Sequence, residues 1–157
     1  MPRSPPFIII TLMSGPEAKR ILALDMGEKR IGVALSDAEA RLASPLTVLP
    51  KRGRDDNVRA IGALTAEHGV GLIVLGLPRK SETELGPAGE AIQRFGKRLN
   101  KALKLPVAYV DEFETTVRAQ EALIEADVSR TKRRDKVDKV AAALILEAYL
   151  AKGGERP

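Results

Sequence analysis

The 157-residue chain has no cysteine, no tryptophan and one histidine, and aromatic residues are only 3% of it. Without cysteine there is no disulfide, no thiolate metal site and no cysteine nucleophile. The lone histidine, His68, excludes two-histidine zinc motifs and argues against a Ser-His-Asp triad. Any metal would be held mainly by oxygen, a donor set that favours Mg²⁺ or Mn²⁺. The shortage of aromatics leaves little on which single-stranded bases could stack. Long apolar runs are scarce as well. Phe7 to Met13 is the dense one near the start, well short of the about 20 residues of a membrane span. No clear small-residue cleavage site follows it, as a signal peptide would need. No membrane association is expected. Residues 1–18 are expected to be a flexible extension, 19–152 one domain and 153–157 a flexible tail.

What is present is an ordinary globular balance, 44% apolar and 30% charged residues, enough for one sizeable core. The net charge of +5 favours polyanionic partners through counterion release.

The element order is legible from hydrophobic pattern and turn residues. Arg20 to Asp25 is a continuous apolar run ending in a carboxylate, the mark of a central strand buried on both faces. A glycine turn, Met26 to Arg30, leads to a second strand, Ile31 to Ser36, near enough to form a hairpin. Leu42 to Leu49 is a third strand, placed near an edge by Pro45. Next come a helix from about Asp55 to Glu67, with Val58, Ile61 and Leu64 inward, and an apolar strand from Gly71 to Leu75. A polar loop, Arg79 to Leu85, precedes a helix from about Pro87 to Lys104. Its inward side is Ile92, Phe95, Leu99 and Leu103; its other side is basic, with Arg94, Lys97, Arg98, Lys101 and Lys104. The strand Val107 to Val110 ends at Asp111-Glu112. A helix starts near Thr115 or Thr116, Asp127 to Lys136 reads as a basic loop, and the last helix runs from about Asp135 to Lys152. Three antiparallel strands followed by strand–helix alternation define an α/β fold with a mixed five-stranded sheet flanked by helices.

Three carboxylates stand out. Asp25 and Glu112 end strands, where functional groups of alternating α/β sheets gather, and the topology can place those strands side by side. Asp111 competes with Glu112, because adjacent strand residues face opposite ways. Asp138 is expected in the first turn of the last helix, heading an otherwise apolar stripe of Ala141, Ala142, Ile145 and Tyr149. Asp135 lies one turn earlier and is an alternative. Each also has an ordinary explanation: a turn former before Gly27, a solvated strand end, a helix N-terminal charge. Together they fit phosphodiester hydrolysis, which needs carboxylates clustered around ions about 3.5–4 Å apart.

Four blocks, in order, resemble one family. They are Leu24-Asp25-Met26-Gly27 through Arg30, Gly32 and Ala34; Val74 to Pro78; Asp111-Glu112 with Thr115-Thr116; and Val137-Asp138 with Ala141-Ala142 and Ile145-Leu146. The chain is similar over about Arg20 to Leu150 to the YqgF/RuvX family, the Holliday-junction-resolvase-like branch of the RNase H-like superfamily. The resemblance implies an RNase H-like nuclease domain over residues 19–152, with Asp25, Glu112 and Asp138 as catalytic, metal-binding carboxylates. It implies Mg²⁺ or Mn²⁺ as cofactor and a cytoplasmic bacterial endonuclease. The substrate would be Holliday junction DNA or the 5′ end of pre-16S rRNA. Related resolvases form homodimers. One position departs from the family pattern: Phe113 stands where Arg is usual after the Asp-Glu pair, so a phosphate-contacting cation would come from elsewhere, with Arg30, Arg79 and Lys80 as candidates.

The densest basic segment, Arg130, Lys132, Arg133, Arg134 and Lys136, immediately precedes Asp138. Charge runs are usually solvated surface, but its position directly before Asp138 favours a grip on backbone phosphates, which positions a substrate without reading its sequence. Recognition of duplex or branched shape fits this composition better than stacking. Two other classes compete with an endonuclease. A non-catalytic RNase H-like nucleic-acid-binding module is motivated by Phe113. An actin-like phosphotransferase is suggested by Asp25-x-Gly27, but the chain is too short for the two domains such enzymes close around nucleotide.

Overall fold

The computed structural model describes residues 19–81, 83–111 and 130–152, the stretch 130–138 by its backbone only. The expected extension over 1–18, the tail over 153–157 and the helix expected from Thr115 or Thr116 lie outside the described residues. Five strands and three helices are described: β1 (Arg20–Met26), β2 (Arg30–Ser36), β3 (Ala43–Pro50), α1 (Arg54–His68), β4 (Val70–Leu77), α2 (Gly86–Leu103), β5 (Val107–Asp111) and α3 (Arg130–Ala151). None of these helices is long and apolar enough to cross a membrane.

The strands form one sheet in the order β3-β2-β1-β4-β5. β1 pairs antiparallel with β2 and β2 antiparallel with β3, while β1–β4 and β4–β5 are parallel. The apolar run of β1 thus sits at the centre, as its composition requires. β3 is the edge that Pro45 demands. The register slips there: Val33 faces Thr47 and Ala34 faces Pro45, so Leu46 is an extra residue in the edge strand.

Alternation along the strands builds two cores. On one face Leu22, Leu24, Ile31, Val33, Ile73 and Leu75 pack with Val58 and Ile61 of α1 and Ile92, Phe95 and Leu99 of α2. On the other, Ile21, Ala23, Ala34, Leu72, Val74 and Ala108 meet Ala142, Ala143, Ile145, Leu146 and Tyr149 of α3. Helix ends follow local chemistry. α1 has Asp55 and Asp56 in its first turn, favourable to the helix dipole. It stops where Gly69 takes φ +64°, a left-handed conformation suited to glycine.

Two expectations are corrected. Arg130 to Lys136 belong to α3 rather than to a loop. The segment has no glycine or proline, and arginine and lysine are good helix formers, so charge density was a misleading loop signal. The strands carrying Asp25 and leading to Glu112 are not side by side: β4 lies between β1 and β5. Both pair parallel with β4, one on each edge, and that leaves them about 10 Å apart, two strand spacings.

Candidate active site

The site is built from the carboxyl end of β1. Ile21 and Ala23 face α3, whereas Leu22 and Leu24 face α1 and α2. Asp25 therefore lies on the α3 face, half-buried, one residue before the strand ends. In the antiparallel register it stands opposite Gly32. In the parallel register Leu24 pairs with Leu75, so Gly76 follows at the level of Asp25 on β4. Asp25 is thus flanked in its row by two buried glycines, Gly32 and Gly76. No side chain of β2 or β4 stands beside its carboxylate on that level. Between β1 and β5 the only strand is β4, and at this height it presents Gly76, paired with Val110. The floor between the two strand ends at this level is bare backbone on β4.

The next turn is tight. Gly27 N–H donates to Arg30 O at 2.9 Å, and a Cβ on Gly27 would stand 2.8 Å from that oxygen. This closure returns the chain at Arg30, the first residue of β2. Since Asp25 faces Gly32, Arg30 is its diagonal neighbour on the same face, within reach of a long side chain.

Register also separates the two competing acids of β5. Asp111 is paired with Leu77, and Val107 and Tyr109 of the same strand pack in the core under α1 and α2. Asp111 therefore faces away from Asp25. It is bound instead by Arg79 at 3.1 Å, at the mouth of the β4–α2 loop. Lys80, the next residue, pairs with Glu84 at 3.4 Å. Glu112 follows β5 immediately and lies outside the described residues.

Asp138 is not in the first turn of its helix, as expected, but eight residues on from Arg130. The extension of α3 at its start is the reason. The dipole effect is spent within about one turn, so favourable helix-end charge no longer accounts for this carboxylate. It lies on the stripe of Ala141, Ala142, Ile145 and Tyr149, all of which are buried. Arg130, Lys132, Arg133, Arg134 and Lys136 occupy the first two turns of the same helix, where no acidic residue stands in the first turn. Among the described residues no three His, Cys, Asp or Glu form a group fit to hold a metal; Glu112 and the Asp138 side chain are not among them. Gly76, one residue past the strand expected from Gly71 to Leu75, is the feature that the sequence pattern left without a role. A glycine inside a strand pattern marks close approach to that backbone, and this was the available signal.

A central-strand carboxylate on a mixed 3-2-1-4-5 sheet, with the last helix laid across its face, defines the RNase H-like class of nuclease folds. Two solved structures share it. Thermus thermophilus RuvC in complex with a Holliday junction substrate aligns with TM-score 0.50 at 15% identity, over 88% of this chain and 99% of that one. The fowlpox virus Holliday junction resolvase aligns with TM-score 0.50 at 12% identity, over 85% and 99%. At sequence level, residues 19–152 match the family model described as "RuvX: Holliday junction resolvase", and the chain belongs to that family. A "Putative pre-16S rRNA nuclease" of Thermoanaerobacter pseudethanolicus is 43% identical over 132 residues, covering 83% of this chain and 95% of the relative. One of the same description from Pelotomaculum thermopropionicum is 46% identical over 136 residues, covering 86% and 88%.

Proposed function

We propose that this chain is a divalent-metal-dependent endonuclease that hydrolyses phosphodiester bonds in structured nucleic acid, with Asp25, Glu112 and Asp138 holding Mg²⁺ or Mn²⁺. The observation that carries the reading is the row Gly32–Asp25–Gly76 at the carboxyl end of the sheet, on the face covered by α3. It leaves one fixed carboxylate beside open backbone, and the phase of β5 turns Asp111 to the opposite face, so Glu112 is the acid of that pair that fits. An all-oxygen donor set without histidine suits these ions. When bound, ions of this kind activate water and stabilise the attacking and leaving oxygens.

The chain's own residues have the remaining tasks. Asp25 is anchored by strand pairing on both sides, so little reorganisation accompanies ion binding. Arg30 stands close enough to take a non-bridging phosphate oxygen, in place of the arginine that Phe113 replaces. Arg79 and Lys80 lie at the same edge, each partly neutralised by Asp111 and Glu84. Arg130, Lys132, Arg133, Arg134 and Lys136 crowd positive charge onto the already positive end of a helix. A phosphate backbone relieves that repulsion, which supports substrate contact there. The names of the relatives and of the family extend the reading to pre-16S rRNA, at its 5′ end, or a four-way DNA junction as substrate; with it we propose the cytoplasm as location and a homodimer as assembly.

The test is cleavage of three labelled substrates in Mn²⁺: a four-way DNA junction, a pre-16S rRNA 5′-end mimic and linear duplex DNA. Wild type is expected to cut one of the first two, and Asp25→Asn to bind it without cutting. Cleavage retained in Asp25→Asn would remove the central claim. Binding without cleavage by wild type would leave a non-catalytic module.

A further inference from the structure

On the sheet face away from Asp25 a cleft of about 870 Å³ opens between the β3–α1 connection and α2. One wall carries Lys51, Arg52 and Arg54; the other carries Arg94, Lys97, Arg98 and Lys101. No carboxylate lines it, and Met26, Ile92 and Phe95 are among its apolar lining residues. All seven cations are exposed. Arg98 reaches Asp55 at 3.4 Å, and Lys51 Nζ donates to Gly27 O at 3.0 Å. Among the described residues the other five have no acidic partner.

The four cations of α2 are spaced i, i+3, i+4 and i+7, so they share one stripe about 10 Å long. Like charges at these spacings destabilise a helix on its own. The opposite wall is fixed in advance. The side chain of Asn57, only 4% exposed, accepts from Arg52 N–H at 3.0 Å and donates to Pro50 O at 3.2 Å. Lys51 N–H donates to Lys29 O at 2.9 Å. A buried amide thus pins a cationic loop, and Lys51 in that loop ties it to the Gly27–Arg30 turn.

We infer that this cleft is a second nucleic-acid site, which grips the sugar-phosphate backbone of a segment flanking the one presented to Asp25. The inference rests on the proposed function for the identity of that second segment, but not for the binding itself. A polyanion is what a cationic stripe, with Arg94, Lys97 and Lys101 lacking an acidic partner among the described residues, accommodates at least cost when it faces a preset cationic loop. No exposed aromatic lines the cleft for base stacking, so contact is to backbone and independent of sequence. Met26 at the floor and Asp25 on the opposite face are consecutive residues, so one strand passing over the carboxyl edge of the sheet serves both.

The experiment measures binding of a labelled four-way DNA junction and of an RNA hairpin in EDTA, across a salt series, by fluorescence anisotropy. The triple variant Arg94→Ala, Lys97→Ala, Lys101→Ala removes exposed side chains from a helix that favours alanine; its melting curve checks folding. A charge-matched control, Lys19→Ala, Arg41→Ala, Lys152→Ala, lies outside the cleft. The cleft variant is expected to lose at least about ten-fold in affinity. Its slope of log K against log salt should shrink by about two to three on duplex arms, while the control stays near wild type. Equal affinity and slope in the cleft variant, an equal loss in the control, or no binding by wild type would each overturn the inference. Single-turnover cleavage in Mn²⁺ separates the two claims. Loss of binding in the cleft variant with no cleavage by wild type sinks the nuclease reading and keeps this one; cleavage by wild type with unchanged binding does the reverse.

Discussion

The two faces of the sheet solve the burial problem differently. Under α1 and α2 the core is made of large side chains, Leu22, Leu24, Ile31, Leu75, Phe95 and Leu99. Under α3 it is rich in alanine, with Ala23, Ala34 and Ala108 on the sheet and Ala142 and Ala143 on the helix. Small residues let a helix axis approach a sheet closely. The first face carries most of the apolar bulk and an external basic cleft. The second brings one helix down beside Asp25 and two glycines. Volume has been given up on the side of the proposed site, where Asp25 stands among bare backbone, and recovered on the other.

The sharpest way to break this comparison is to neutralise the acid on each face. Asp25→Asn is expected to reduce cleavage to background, whereas Asp111→Asn should leave it within a few-fold of wild type. Asp111 faces away from Asp25, and its ion pair with Arg79 is partly exposed, worth about 1 kcal/mol or less. If Asp111→Asn were the silent enzyme, the assignment of faces would be wrong. Next in size is truncation in the large-residue core. Leu24, fully buried, is expected to cost about 3 kcal/mol as Leu24→Ala, read from urea unfolding.

The alanine-rich face should respond to the opposite change. Ala142→Leu is expected to destabilise by about 1–3 kcal/mol through overpacking; an unchanged midpoint would mean α3 is not closely seated. On the α2 side one such clash can be relieved by a second substitution. A Cβ on Gly96 would run into the Tyr109 hydroxyl, so Gly96→Ala should lower the melting temperature and Tyr109→Phe should restore part of it in the double variant. Burial pushes the Tyr109 phenol above its ordinary value of 10.0, so it stays neutral at physiological pH.

The smallest effect belongs to the turn between β2 and β3. The Asp37 carboxylate accepts N–H bonds from Leu42 at 2.9 Å and Arg41 at 2.7 Å. These bonds hold its pKa below the ordinary 3.8, the one to Leu42 contributing most. A lowered folded-state value means its contribution is complete above the ordinary value and lost as pH falls through the lowered one. Asp37→Asn should therefore lower stability slightly at neutral pH, and the deficit should shrink as pH falls below about 4, which flattens the acid limb. An identical acid limb would show that these bonds contribute nothing.

Much of this protein is decided locally. Apolar runs, glycines and prolines set the order of strands and helices, because strand and helix periods are written in consecutive residues. Boundaries of the described elements fell within a residue or two except at α3, where a run of arginine and lysine has the composition of a loop and the propensity of a helix. The candidate acids Asp25 and Asp138 were legible as a carboxylate ending a buried strand and a carboxylate on an apolar stripe. Four spaced motifs made the family legible as well.

Other features required the assembled sheet. That β4 separates β1 from β5 is a matter of which edges pair, and no local residue states it. The choice between Asp111 and Glu112 depends on the phase of β5 relative to β1, which only the shared register with β4 supplies. The row of Gly32, Asp25 and Gly76 joins three strands from positions 25 to 76. The basic cleft joins a loop at 51–54 to a helix face some forty residues on. Sequence determines what each segment can be, since propensity and periodicity act over a few residues. Tertiary structure decides which groups meet, since pairing and packing act between segments that the chain itself keeps far apart.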